Sequence, residues 1–340
     1  MLSIEALVCI APGELKIEKR PSPDTSKGQV LVRPRRIGIC GTDYHIYEGK
    51  HPFLQYPRVM GHELAVEVVE PGTSKLRAGE ICVVNPYLSC GSCIACRKGK
   101  PNCCTRISVL GVHQDGGMQE LINVPEANLI SAPGLSIDGC ATVEFLAIGA
   151  HAVRRGGVMS EDIALVIGAG PIGLGTALFA KLAGAAKVAL VDRDAERAKS
   201  TAAIIGIDAI IFGDGLDQSV ADYTLGNGFD VVFDATGNQS SMQRGFDFVA
   251  HGGRYVLVSV VKDQITFSDP DFHRRELTLL GSRNATSEDF ARVISAIREG
   301  KVPLDKIITH RTGLVEAVRD LPLWAHEKTG LIKALIEIGG

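Results

Sequence analysis

Three groups of residues in this chain have types and spacings that could do chemistry. Cys90, Cys93, Cys96 and Cys104 stand 3, 3 and 8 residues apart in the run CGSCIACRKGKPNCC. Four thiolates on one short loop can close a tetrahedron around Zn²⁺, with sulfurs about 2.3 Å from the metal. Such a site has no open position, so its expected role is structural and the chemistry must lie elsewhere. Cys103, beside Cys104, breaks the spacing and is left out of it. The second group is Cys40 in CGTDYH, with His62 and Glu63 of GHE 22 and 23 residues further on. A thiolate, an imidazole and a carboxylate suit Zn²⁺ with the fourth position left to water or substrate, the arrangement of a catalytic metal. Singly these residues say little, since a lone cysteine is ordinarily a small buried hydrophobe.

The third group is Gly168-Ala169-Gly170-Pro171-Ile172-Gly173, which follows an apolar β-branched run and opens an Ala/Leu-rich one. Asp192 ends the next such run, 24 residues after Gly168. Glycines at this spacing permit a tight strand-to-helix turn, and the helix N-terminus offers N–H groups to a pyrophosphate. An acid at Asp192 can accept ribose hydroxyls and would repel a 2′-phosphate, which favours NAD over NADP. Arg193, next in sequence, blurs that preference, because an arginine there can accommodate the phosphate.

The elements that must position these groups fall into three stretches. Residues 1–145 are β-rich and irregular, with β-branched runs at 29–34, 65–69 and 81–85 between Pro/Gly turns. From 146 to 281 short buried strands alternate with helices: ALVIG, KVALVD, AIIF, DVVFDAT, RYVLVSV and LTLLGS. That alternation predicts a doubly wound parallel sheet, an α/β nucleotide-binding domain of Rossmann type. Residues 144–155 have apolar positions at helical spacing and are expected to connect the two domains. The last stretch, 282–340, holds a helix over 287–299, a second helix and a closing strand within GLIKALIEI. It is too short for a domain of its own and is expected to return to the first one.

Bulk properties bound the function. At 340 residues, two domains are expected. Lys+Arg of 36 against Asp+Glu of 39 gives a net charge of −3, with no basic stripe to argue for nucleic acid. Residues 163–180 carry no charge over 18 positions, close to a membrane span in length, but their glycines and proline read as strand, turn and helix. The N-terminal segment lacks the basic start of a signal peptide. Nine cysteines then point to a reducing cytoplasm and metal binding.

The whole chain resembles the zinc-dependent medium-chain dehydrogenase/reductase family of alcohol, sorbitol and threonine dehydrogenases. The likeness is carried in family order by GICGTDYHIY, PRVMGHE, the four-cysteine loop, GAGPIG, VDRD and GLIKALIEI. It implies a GroES-like catalytic domain over 1–145 beside the NAD-binding domain. It also implies a catalytic zinc on Cys40 and His62, with either Glu63 or Glu144 as third ligand. Glu144 matches a position where alcohol dehydrogenases carry cysteine. By the same likeness Thr42 first receives the substrate's proton, His45 passes it to solvent, and Asp43 orients the ligand imidazole. Ile172 and Arg197 match positions near the cofactor's adenosine half, and Lys333 a basic residue that reaches the pyrophosphate.

The strings HIYEGKHPFLQYPRVMGHE and VLGVHQDGG are most similar to the hexonate subgroup, the galactonate and idonate 5-dehydrogenases. A polyol or sugar-acid substrate follows, oxidised at a secondary alcohol to a ketone. Arg283 or Arg58 is then the candidate partner of a substrate carboxylate, the rival reading being an interdomain salt bridge. Two other readings stay open: an NADP-dependent zinc alcohol or aldehyde reductase, and a catalytically silent NAD-binding regulator. Family members assemble as homodimers or homotetramers, which is the expectation here, with no membrane partner.

Overall fold

The computed structural model describes residues 3–24, 28–51, 54–327 and 330–339. Its contacts divide the chain into two units, 1–144 together with 286–340, and 145–285.

The discontinuous unit is built on a sheet whose strands run, edge to edge, Leu129–Ser131, Ile81–Val84, Glu63–Glu70, Gln29–Ile39, Lys333–Glu337 and Ile308–Gly313. A further strand, Ile122–Pro125, pairs with the start of Gln29–Ile39. All these pairings are antiparallel except Ile308–Gly313 with Lys333–Glu337. Ser3–Ala11, Glu14–Pro21 and Arg58–Val59 form a smaller antiparallel sheet. Alternation along the strands sends Val32, Leu64, Val66, Val68 and Ile336 into one apolar core, each such side chain stabilising by about 1.5–3 kcal/mol. The tail is therefore an interior part of this sheet: Lys333–Glu337 lies beside the central strand, with Ala334 opposite Ile39 and Leu335 opposite Gly38.

The continuous unit holds six parallel strands in the order Asp208–Ile211, Lys187–Asp192, Ile163–Ile167, Phe229–Asp234, Val249–Leu257, Thr278–Gly281. That is the doubly wound order 3-2-1-4-5-6, which places a ligand crevice at the carboxyl ends, where the order reverses beside the first strand. Each sequence run lies on its strand, with ends displaced by a few residues; RYVLVSV is the later part of a longer strand that begins at Val249. Among the described residues no helix is long and apolar enough to cross a membrane, and the 163–180 segment is the strand Ile163–Ile167 followed by the helix Pro171–Leu182.

Candidate active site

In the discontinuous unit, the strand Gln29–Ile39 runs directly into the short helix Gly41–Tyr47, with Cys40 at the junction. Asp43, fully buried, fastens that junction. Its Oδ2 accepts the Cys40 N–H at 2.9 Å and its Oδ1 accepts the Gly61 N–H at 3.3 Å. One carboxylate thus ties the segment carrying Cys40 to the segment carrying His62. The His62 Nδ1 lies 3.9 Å from Asp43 Oδ1, beyond hydrogen-bond reach. Here the structure departs from the expectation: Asp43 holds the backbone around the imidazole, not its N–H.

The ligand atoms of Cys40, His62 and Glu63 lie within 4.8 Å of one another. Glu63 starts the neighbouring strand opposite Gly38, and a Cβ at Gly38 would collide with its carboxylate. Only glycine leaves room for the acid at that point. Glu144, in the first turn of the helix Val143–Gly156, accepts a hydrogen bond from the buried Tyr87 hydroxyl. Burial pushes the Glu144 carboxyl up to about 7, helped by Glu63 and opposed by His62 and Tyr87. Burial likewise raises Asp43.

Three buried acids and a thiol thus face one buried lysine and one imidazole, and the His62 Nδ1 finds no hydrogen-bond partner. A divalent cation fits this donor set. Zinc would sit on Cys40, His62 and a glutamate, and of the two acids Glu63 is the one grouped with them. Thr42 stands beside the site, its Oγ1 3.7 Å from Cys40 Sγ, and His45 is exposed on the same helix.

Lys333 is the clearest correction. It was expected at a cofactor's pyrophosphate, yet its side chain is 1% exposed, and its Nζ donates to both Glu63 oxygens at 2.8 and 2.7 Å and to the Ile39 carbonyl at 3.1 Å. The reason is topological: a strand inserted beside Gln29–Ile39 points this residue inward, toward Glu63. Arg58 is also engaged within the protein. Its Nη1 donates to Asp115 at 3.2 Å, on a carboxylate shared with Arg20, so the structure gives no support to its holding a substrate. Residues 52 and 53 of the hexonate-like string lie outside the described residues.

The sulfurs of Cys90, Cys93, Cys96 and Cys104 also lie within 4.8 Å of one another; a tetrahedron of 2.3 Å bonds needs about 3.8 Å between them. Backbone N–H groups of Cys93 and Cys90 point at Cys90 and Cys104 sulfurs at 3.4 and 3.3 Å. The thiol of Cys90 is lowered to about 5 by backbone N–H donors and Arg106, and Cys93 to about 6 by similar donors. Both are poised as thiolates, the form that binds metal. Cys103 is exposed, and Cys9, Cys82 and Cys140 are buried outside both clusters.

In the continuous unit, Gly170 caps the helix Pro171–Leu182. Gly173 is required where it is, because a Cβ there would collide with the Gly168 carbonyl. Asp192 is bound three ways: its Oδ2 accepts Ala169 N–H at 2.7 Å and Arg197 Nη2 at 2.6 Å, its Oδ1 Asp194 N–H at 2.9 Å. Burial would raise its carboxyl, but these donors win and hold it below the usual carboxylate range. A cavity of about 990 Å³ opens here, lined by Gly168, Gly170, Asp192, Arg193, Arg197 and Asn238 among others. A dinucleotide's adenosine half fits a crevice so lined. Pro171, Ile172 and Gly173 belong to the helix start behind it and are not among its lining. Arg283 follows the last strand of this unit.

Comparison with known proteins places these features in a family. Residues 26–134 match the alcohol dehydrogenase GroES-like domain and residues 171–299 the zinc-binding dehydrogenase domain. L-galactonate-5-dehydrogenase of Escherichia coli strain K12 is 42% identical over 320 residues, 92% of each chain. The chain belongs to the zinc-dependent medium-chain dehydrogenase/reductase family. Among solved structures, the alcohol dehydrogenase RspB of E. coli CFT073, complexed with NADH, superposes on this dehydrogenase with a TM-score of 0.92 at 29% identity, over 99% of both chains. A zinc-binding dehydrogenase of Sinorhizobium meliloti 1021 bound to NADP gives 0.89 at 27% identity, covering 99% of this chain and 100% of that one.

Tyr87, whose hydroxyl donates to Glu144, is not singled out by the sequence; it stands in the short strand Tyr87–Leu88 ahead of the cysteine loop.

Proposed function

We propose that this dehydrogenase is NAD-dependent and oxidises a secondary alcohol of a sugar acid of the hexonate class to the ketone. The observation that carries the reading is the Cys40–His62–Glu63 cluster, half-buried at Cys40 and buried at the other two, with Thr42 against it. When bound, zinc would polarise the substrate hydroxyl and lower its pKa, and NAD would accept the hydride. The chain's own residues do the rest. Asp43 keeps Cys40 and His62 together, Thr42 offers a hydroxyl to take the substrate's proton, and exposed His45 passes it to water, a task suited to an imidazole near neutral pH. Lys333 supplies a positive charge on the far side of Glu63. Asp192, lining the nucleotide cavity, would accept ribose hydroxyls.

The likeness to L-galactonate-5-dehydrogenase supports the hexonate class, and Arg283 is proposed to meet the substrate carboxylate. Arg193 and Arg197 in the cavity lining favour a second reading, use of NADP. Assembly as a homodimer or homotetramer in the cytoplasm belongs to the same proposal. The test is a steady-state screen of hexonates, neutral polyols and simple alcohols, with NAD and NADP side by side, before and after chelation. Chelator-sensitive NAD reduction on a hexonate, with Arg283→Ala losing the acid substrate selectively, is the expected result. Turnover only of simple alcohols with NADP would replace it with the reductase reading, and no turnover with both metal sites filled would favour the silent regulator.

A further inference from the structure

The cluster contains more acid than an open zinc site can use. Cys40, His62 and Glu63 make three ligands, and Glu144 is a fourth buried donor, 3% exposed and within electrostatic reach of His62, Glu63 and Lys333. If both glutamates bound one zinc, it would carry four protein ligands, the closed pattern of a structural site. Glu63 has Lys333 behind it. What Glu144 has is Tyr87, whose hydroxyl donates to Oε1.

That phenol is held from behind. The Tyr87 N–H donates to Asn85 Oδ1 at 3.1 Å, and Asn128 Nδ2 donates to the Tyr87 carbonyl at 3.4 Å and the Asn85 carbonyl at 2.8 Å. Tyr87–Leu88 also pairs with Ser108–Val109. The ring is 8% exposed, so the hydroxyl has little freedom to seek water. A hydrogen bond from a fixed donor in a buried site is a strong restraint on a carboxyl group.

We propose that Tyr87 keeps the catalytic metal site open: by donating to Glu144 Oε1 it commits that carboxylate to the protein, leaving Cys40, His62 and Glu63 as the ligands and the fourth position to substrate. Tyr87 is thus a positioning residue that acts through Glu144. This rests on reading the cluster as the zinc site of a dehydrogenase. Without the phenol hydroxyl, the buried Glu144 carboxyl would lack its donor, and the nearby cation would become its partner.

The test replaces zinc with Co²⁺ in wild type, Tyr87→Phe, Glu144→Gln and the double variant, and reads the visible spectrum, the metal affinity against a competing chelator, and kcat and KM. The expected result for Y87F is tighter cobalt binding, a visible spectrum that no longer responds to added imidazole, and a kcat lower by about 10-fold, the order by which changes around a metal site alter activity. In the E144Q background the same Y87F change should do none of this. A Y87F protein matching wild type in spectrum, affinity and kcat overturns the inference, as does a Y87F effect that persists beside E144Q. A wild-type protein that takes up no cobalt at Cys40 and His62 sinks the dehydrogenase reading itself, which is a different failure.

Discussion

Replacing Lys333 with methionine leaves Glu63 buried, charged and alone. The pair is 2.7 Å apart, with side chains 1% and 0% exposed. At an effective dielectric of about 20, two unit charges at that distance attract by about 6 kcal/mol before desolvation is counted. Burying both ions cancels part of this, and removing one partner of such a pair ordinarily costs about 3–5 kcal/mol. The single tryptophan of the chain, Trp324, is 7% exposed on the helix Ala317–His326 of the same unit, so its fluorescence reports unfolding of that unit. Denaturant titrations of chelator-treated protein should place Lys333→Met about 3–5 kcal/mol below wild type treated the same way. Added zinc should restore most of that, because a cation on Cys40, His62 and Glu63 neutralises the stranded carboxylate. The double variant Glu63→Gln/Lys333→Met should be more stable than K333M alone under chelation. A K333M protein within about 1 kcal/mol of wild type, or one whose deficit ignores zinc, would refute the reasoning.

Two further outcomes follow from the same structure. Cys93→Ser should bind one zinc fewer and lose thermal stability while kcat per folded molecule stays near wild type; a stable C93S protein without turnover would mean the four-cysteine loop is not structural. Asp138 joins Arg311 and Arg36, and the Arg311 guanidinium holds its carboxyl below the usual range. A carboxyl depressed in the folded state stabilises above its unfolded pKa of about 3.9 and loses that contribution as pH falls through the lower folded value. The stability gap between wild type and Asp138→Asn should therefore be full at pH 5 and above and shrink as the solution is acidified below about 4; a gap constant with pH would remove the ion pair as its cause.

The sequence was informative wherever chemistry is local. The four-cysteine loop, GAGPIG with its acid and the strands of the nucleotide unit depend on near neighbours, and spacing alone located them. Cys40 with His62 needed two segments to meet, which residue type anticipated and the Asp43 clasp achieves. Lys333 differs from its expectation: the likeness pointed it at a pyrophosphate, and only the neighbours of its strand show it on Glu63. Its partner Glu63 lies 270 residues earlier, and no periodicity carries that pairing. Tyr87 was silent for a similar reason: its meaning is the Glu144 carboxyl 57 residues away, while locally it is one aromatic in a two-residue strand. The choice between Glu63 and Glu144 was likewise open in sequence, since each follows a plausible motif, and only the grouping of ligand atoms separates them.

The return of the tail to the first sheet also has a consequence in time. The segment carrying Glu63 and its counter-charge Lys333 leave the ribosome 270 residues apart, roughly 14–54 s at about 5–20 residues per second. The nucleotide unit, encoded without interruption between them, can fold during that interval. The metal-binding unit cannot close its sheet until the last strand arrives, so its acids wait in a half-built site open to water and free ions. Birth order thus leaves the Cys40–His62–Glu63 cluster waiting for Lys333 long after the nucleotide unit can fold.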